Sequence, residues 1–154
     1  MSELKFREAG EGDLTAIVAM LDDDGLGRGR ERPLSSGVDL VYVKALREVQ
    51  AQTGNHIIIV ERDGEPVGTY QFTVIAGLSR CGARRAQIEA VRVKSGKRGG
   101  GIGEAMLRHA IAQARQEGCQ LVQLSSDRRR GRAHLFYERL GFVATHIGFK
   151  LELK

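Results

Sequence analysis

The chain of 154 residues has no tryptophan, two cysteines and two prolines. None of its apolar runs approaches the ~20 residues that cross a bilayer. Each shortage removes a class of protein. Cys81 and Cys119 lie far apart and form no Cys-x-x-Cys pair, so neither a zinc site nor a disulfide framework has a basis, and both are expected as reduced thiols. Aromatic residues are 5% of the chain and offer little stacking surface for nucleic-acid bases, although the net charge of +5 suits a polyanion of any kind. His56, His109, His134 and His146 show no metal-ligand spacing. The opening Met1-Ser2-Glu3-Leu4-Lys5 lacks the apolar centre of a signal peptide, so the expected location is cytoplasmic, with no membrane partner. Repeats, low-complexity tracts and linkers are missing too, and the length fits one domain over residues 1–154.

Glycine is plentiful, and Gly99, Gly100, Gly101 and Gly103 place four within five positions. A strand-like run, Gln87–Val93, leads into them. Behind them Ile102, Met106, Ala110 and Ala114, with Leu107 and Ile111 beside them, repeat at the spacing of one helical face. Gly118 ends that helix, and Gln120–Leu124 resumes a strand pattern. The unit is β-loop-α-β. Glycines turn without Cβ clashes, so successive N–H groups can converge on one anion while the helix adds the positive end of its dipole. Two well-known phosphate loops fail on position: Lys97-Arg98 precedes the glycines instead of following them, and Gly101-x-Gly103 is followed by Met106 where a dinucleotide loop needs a third glycine.

The remaining chain alternates strands and helices, which predicts an α/β domain on one mixed sheet. Leu4–Glu8 reads as a strand, and Leu14, Ile17, Val18 and Leu21 as a helical stripe ending at Asp22-Asp23-Asp24. Residues 25–37 read as a loop. A second helix carries Val38, Val41, Tyr42, Ala45, Leu46 and Val49 on one side. Ile57–Val60 and Val67–Ile75 flank the hairpin turn Asp63-Gly64. Alternation puts Glu89 on the same face as Val91 and Val93 unless a bulge intervenes. Ala133, Phe136, Tyr137 and Leu140 form a last helix, and Phe142–Leu153 is expected to supply a closing strand.

Two motifs carry a family resemblance. Arg98-x-x-Gly101-x-Gly103 resembles the pyrophosphate loop of the GNAT (Gcn5-related) N-acetyltransferase superfamily. Downstream, Ala133-His134-Leu135-Phe136-Tyr137-Glu138-Arg139-Leu140-Gly141-Phe142 is similar to the Ala-x-x-Phe-Tyr-x-x-x-Gly-Phe signature of that family's last helix. Phe6–Ala9, with Asp13, Leu14 and Ile17, resembles the family's first strand and helix. The resemblance implies a mostly antiparallel sheet of six or seven strands with about four helices. Its central parallel pair, here Gln87–Val93 and Gln120–Leu124, would splay to admit the pantetheine arm of coenzyme A. It further implies acetyl-CoA as acetyl donor, no metal, and transfer to a primary amine of a small molecule or peptide by direct attack in a ternary complex. The backbone of Val91, Arg92 and Val93 would line the pantetheine, and Arg98, Gly99, Gly100, Gly101, Ile102, Gly103 and Glu104 the pyrophosphate. Phe136 and Arg130 would complete the cofactor contacts, although many relatives carry Asn at the position of Arg130. A homodimer is common in the family, and no residue here demands one.

Acetyl transfer to an amine needs a base for the ammonium proton, stabilisation of an oxyanion and protonation of the departing thiolate. Glu89 is the candidate base, a carboxylate in an otherwise apolar strand; the alternative is a solvent-facing side chain or a salt bridge to Arg92. Tyr137 is the candidate acid; the alternative is a core tyrosine on the same stripe. Arg128–Arg132 is either a solvated loop or a contact for phosphate, and Asp22–Asp24 either a solvated helix end or an attraction for a cationic amine. Two other classes stay open: a GNAT-like module that binds acyl-CoA without catalysis, and a basic nucleic-acid-binding domain.

Overall fold

A computed structural model describes residues 2–154 and divides the chain into two compact units, Met1–Gln123 and Leu124–Lys154. The first unit opens with β1 (Leu4–Glu8), a 3₁₀ turn (Glu11–Asp13), α1 (Leu14–Asp22) and α2 (Leu40–Ala51). Next come β2 (Asn55–Arg62), β3 (Glu65–Ile75), the single turn α3 (Ser79–Gly82), β4 (Arg85–Val93) and α4 (Ile102–Gln116). β5 (Leu121–Leu124) lies at the boundary, and α5 (Gly131–Arg139) belongs to the second unit. The sheet order is β1-β2-β3-β4-β5, and the first three neighbouring pairs are antiparallel.

Local chemistry sets several boundaries. Asp63 and Gly64 both have positive φ, 53° and 79°, the conformation that tightens a two-residue hairpin between β2 and β3. Asp39 caps α2 by accepting the Val41 N–H at 2.9 Å. The helix therefore starts after Val38, and only Leu46 of the expected stripe is fully buried.

The two faces of the sheet are covered by different helices. On one face Tyr70 and Phe72 of β3 lie under α4, which buries Ile102, Met106, Leu107, Ala110 and Ala114. Ile102, Met106 and Leu107 each contribute about 1.5–3 kcal/mol relative to exposure. Gly68 lets α4 approach closely, because a Cβ would sit 2.7 Å from the Met106 sulfur and 3.3 Å from the Arg92 carbonyl and would displace the methionine. On the opposite face Ile17 and Met20 of α1 pack with Ala9 and Ile59.

β5 joins β4 through α4, the crossover that makes neighbours parallel. The Gln120 N–H donates to the Arg84 carbonyl at 2.8 Å, and the Gln123 side chain reaches Gln87 at 2.6 Å. Both contacts share one offset, so the mixed sheet expected from the sequence is present. β4 spans nine residues and β5 four, so β4 has the longer ladder.

In the second unit, α5 keeps Ala133, His134, Phe136 and Tyr137 half-buried. The expected closing strand is not formed. From Val143 to Lys154 the chain has no regular structure and every residue is exposed, so the sheet has five strands instead of six or seven. An alternating sequence makes a ladder only where a partner edge meets it, and the described chain pairs nothing with this segment.

Candidate functional site

β4 changes character halfway along. Gln71 pairs with Glu89 and Thr69 with Arg92, so Ala90 and Val91 together oppose the single residue Tyr70. This is a β-bulge, and Ala90 takes the positive φ of 50° that the extra residue imposes. Directly opposed residues share a face, so Glu89 and Arg92 stand on one face with Thr69 and Gln71, while Ile88 and Val93 stand with Phe72 and Gly68. The expectation that Glu89 shares a face with Val91 and Val93 is corrected by this one-residue shift. Glu89 is exposed, on the face that α1 covers. The Val91 carbonyl accepts from the Arg92 guanidinium at 2.9 Å, and the Val93 carbonyl from Arg98 at 3.2 Å.

The glycine loop enters α4 without a side-chain cap. Gly99 and Gly101 have φ of 81° and 78°, which side chains rarely adopt, and open space lies where a Cβ on either would project. Gly101 is the N-cap. The first-turn N–H groups, those of Ile102, Gly103 and Glu104 among them, have no acceptor within a helix. A run of glycine backbone, a helix entry with no side-chain cap and the flanking Lys97 and Arg98 have the chemistry to hold a diphosphate. Ile102 itself is buried in the core, and Glu104 pairs with Arg108 at 2.7 Å.

The aspartates that end α1 are all engaged. Asp24 is buried and holds Arg92 at 3.1 Å, with Arg30 at 3.5 Å. Asp23 accepts from Arg98 at 3.1 Å, and its carbonyl accepts from the same guanidinium at 3.0 Å. Asp22 takes the Gly29 N–H at 3.4 Å. Sequence reasoning left this cluster as either a solvated helix end or an attraction for a cationic amine. The signal that could have found its partners is the unfavourable placement of three acids at the negative end of a dipole, which asks for nearby cations. Beside it lies an open cleft of about 290 Å³, lined by Ala19, Asp22, Asp23, Arg28, Arg32 and Leu34.

The histidines go to separate duties. His109 on α4 stacks on Phe6 at 4.1 Å and bonds the Tyr70 hydroxyl at 2.7 Å. Burial raises the Tyr70 pKa and lowers that of His109, which favours the neutral form of each. His56 pairs with Glu8. Among the described residues no group of His, Cys, Asp and Glu could hold a metal ion, and Cys81 and Cys119 are free thiols.

In the second unit Asp127 organises the approach to α5. Its carboxylate accepts from the Arg129 side chain at 2.7 and 2.9 Å and from the Arg129 N–H at 2.9 Å, which holds its pKa well below the usual carboxylate range. His134 meets the Asp127 carbonyl at 2.9 Å. Arg130 occupies the N-cap of α5, and Arg128 and Arg132 are exposed. The Tyr137 ring lies edge-on to Phe136 and Phe142, with centroids 5.3 and 6.0 Å away.

Comparison with known proteins gives these features a family. The model of the acetyltransferase (GNAT) family matches residues 30–142, and the chain belongs to that family. It is 42% identical, with a TM-score of 0.93, to the crystal structure of a transcriptional regulator from Bacillus halodurans C-125, covering 98% of this chain and 100% of that one. An acetyltransferase structure from Trypanosoma brucei is 29% identical with a TM-score of 0.75, over 98% of this chain and all of that one. A curated relative, the aminoalkylphosphonate N-acetyltransferase of Salmonella typhimurium strain LT2, is 33% identical over 94 residues. That match spans 61% of this chain and 60% of the relative's length. Among the described residues, no helix is long and apolar enough to cross a membrane.

Proposed function

We propose that the protein is an acetyl-CoA-dependent N-acetyltransferase whose acceptor is a small amine carrying an anionic group. The observation that carries the reading is the uncapped glycine entry to α4 in a chain of the acetyltransferase family. Arg98 to Glu104 would hold the diphosphate, largely through backbone N–H groups. The C-terminal part of β4, Val91 to Val93, would flank the pantetheine. Arg130 and Phe136 are assigned to the cofactor on the motif alone.

Acetyl-CoA, when bound, supplies an activated acetyl group and a thiolate leaving group. An aliphatic ammonium near its reference pKa of ~10 is almost wholly protonated at neutral pH. Glu89, exposed on the face beneath α1, takes one ammonium proton and passes it to solvent. The freed nitrogen forms the C–N bond in a ternary complex as the C–S bond breaks. Tyr137 gives its phenol proton to the departing sulfur and is restored by the second proton that nitrogen loses.

The acceptor class rests on the cleft at the end of α1. Asp22, which holds only the long Gly29 contact, suits an ammonium, while Arg28 and Arg32 suit a phosphonate or phosphate. The Salmonella relative is named for aminoalkylphosphonates, which pair those two charges in one molecule. The test is release of free thiol from acetyl-CoA with 2-aminoethylphosphonate, ethanolamine, spermidine and a lysine peptide. The phosphonate should be preferred, and Glu89→Gln should lower kcat/KM about 100-fold or more. Equal turnover of all amines would remove the acceptor class, and an unaffected Glu89→Gln would remove the base.

The Bacillus halodurans relative, described as a transcriptional regulator, favours a second reading in which the basic chain binds DNA. Three arginines that would serve it, Arg92, Arg98 and Arg129, are instead paired with Asp24, Asp23 and Asp127. Salt-sensitive DNA binding with no thiol release on any amine would select it.

A further inference from the structure

The loop between α1 and α2, residues 25–37, places Arg28 and Arg32 on the wall of the open cleft beside α1. Its first half is tied to the end of α1: the Asp24 carbonyl accepts the Gly27 N–H at 3.0 Å, and Asp22 takes the Gly29 N–H at 3.4 Å. Its second half is tied to α2 by Tyr42. The Tyr42 hydroxyl accepts the Arg32 N–H at 2.7 Å and donates to the Glu31 carboxylate at 2.7 Å.

Tyr42 has a fixed base. It sits in the first turn of α2, where the Asp39 carboxylate accepts the Val41 N–H at 2.9 Å and the Asp39 carbonyl accepts the Tyr42 N–H at 3.0 Å. Burial, and after it the bond to Glu31, raises the phenol pKa, so the hydroxyl keeps the one proton it has to give. That proton goes to Glu31, and a lone pair remains for the Arg32 amide. Pro33 restricts the residue before it to extended backbone, so Arg32 is held on one side by the tyrosine and on the other by the proline ring. Nearby arginines are committed elsewhere: Arg30 and Arg92 hold Asp24, and Arg98 holds Asp23. An anion entering the cleft would compete for Arg32 with the adjacent Glu31, and the Tyr42 hydroxyl engages that carboxylate.

We infer that Tyr42 is a positioning residue for the anionic end of the acceptor: it fixes the backbone of Arg32 at the cleft and keeps the Glu31 carboxylate from serving as that arginine's counter-ion. The inference deepens the proposed acceptor class and rests on the assignment of Arg28 and Arg32 to an anion in that reading. Tyr42 touches no reacting atom. It governs which amines bind and leaves the transfer step alone.

The test uses the full chain and two readouts. Methylphosphonate carries the anion without the amine, so its affinity, followed through the NMR shifts of arginine side-chain N–H groups, reports on the cleft without turnover. Tyr42→Phe keeps the ring and removes both hydrogen bonds. It should weaken methylphosphonate binding about tenfold and raise KM for 2-aminoethylphosphonate by about the same factor. Its kcat, its KM for ethanolamine, its acetyl-CoA affinity and its far-UV circular dichroism should match the wild type. Arg32→Ala should cost at least as much methylphosphonate affinity, and adding Tyr42→Phe to it should cost little more, because the tyrosine acts through the arginine. Equal methylphosphonate affinity in wild type and Tyr42→Phe, additive losses in the double variant, a lowered kcat or no binding by the wild type would each overturn the inference. Thiol release failing with every amine, while methylphosphonate binding still depends on Tyr42, would remove the acetyltransferase reading and leave the inference standing.

Discussion

The end of α1 and the start of α4 are made of opposite materials. α1 finishes with three aspartates at the negative end of its dipole, and Arg92, Arg30 and Arg98 hold two of them. α4 begins with glycines that bring no side chain to its positive end. At the first, charge is satisfied within the molecule and stabilises it. At the second, no side chain caps the backbone donors, and the proposed diphosphate would meet them there. Arg98 belongs to both: it ties the glycine loop to Asp23 while flanking the proposed diphosphate site.

Replacing Gly101 with Val attacks the open end directly. A β-branched residue is strained at φ of 78°, and its side chain fills the cradle. Acetyl-CoA affinity should fall about 100-fold or more, ~2.7 kcal/mol, as measured by calorimetry with circular dichroism as the folding control. Asp24→Asn attacks the satisfied end. It removes the ion pair to the partly buried Arg92 and should cost about 3 kcal/mol in urea unfolding, much of it shared with Arg92→Met in a double-mutant cycle. Arg98→Ala sharpens the comparison at their junction. Arg98 must exchange Asp23 for the diphosphate, so its net contribution to acetyl-CoA binding should be only about 1 kcal/mol, a five- to tenfold rise in Kd that shrinks in high salt. Asp22→Asn, which gives up one long contact, should change unfolding stability by less than about 0.5 kcal/mol.

Much of this was legible in the sequence. The β4-loop-α4-β5 unit was readable because glycines, a helical apolar stripe and a strand run are all local patterns, and Ile102, Met106, Ala110 and Ala114 are buried as the stripe requires. The bulge at Ala90 was not readable, since nothing in Glu89-Ala90-Val91 announces a positive φ on alanine; the register with β3 imposes it. The pairing of Asp24 with Arg92 joins residues 68 positions apart and had no local signal beyond the crowding of acids. For Phe142–Leu153 the alternation was read as a closing strand and the segment has no regular structure, because a pattern states which face is apolar and not which edge receives it. The roles of Glu89 and Tyr137 rest on residue type and motif, and turnover of their variants is what tests them.

The central claim is that the glycine entry to α4 binds the diphosphate of acetyl-CoA. Calorimetric titration of the wild type and Gly101→Val with acetyl-CoA tests it most directly. One site per chain in the wild type, with affinity lost in a folded Gly101→Val, is the predicted result; no binding by the wild type, or equal binding by both, would contradict it.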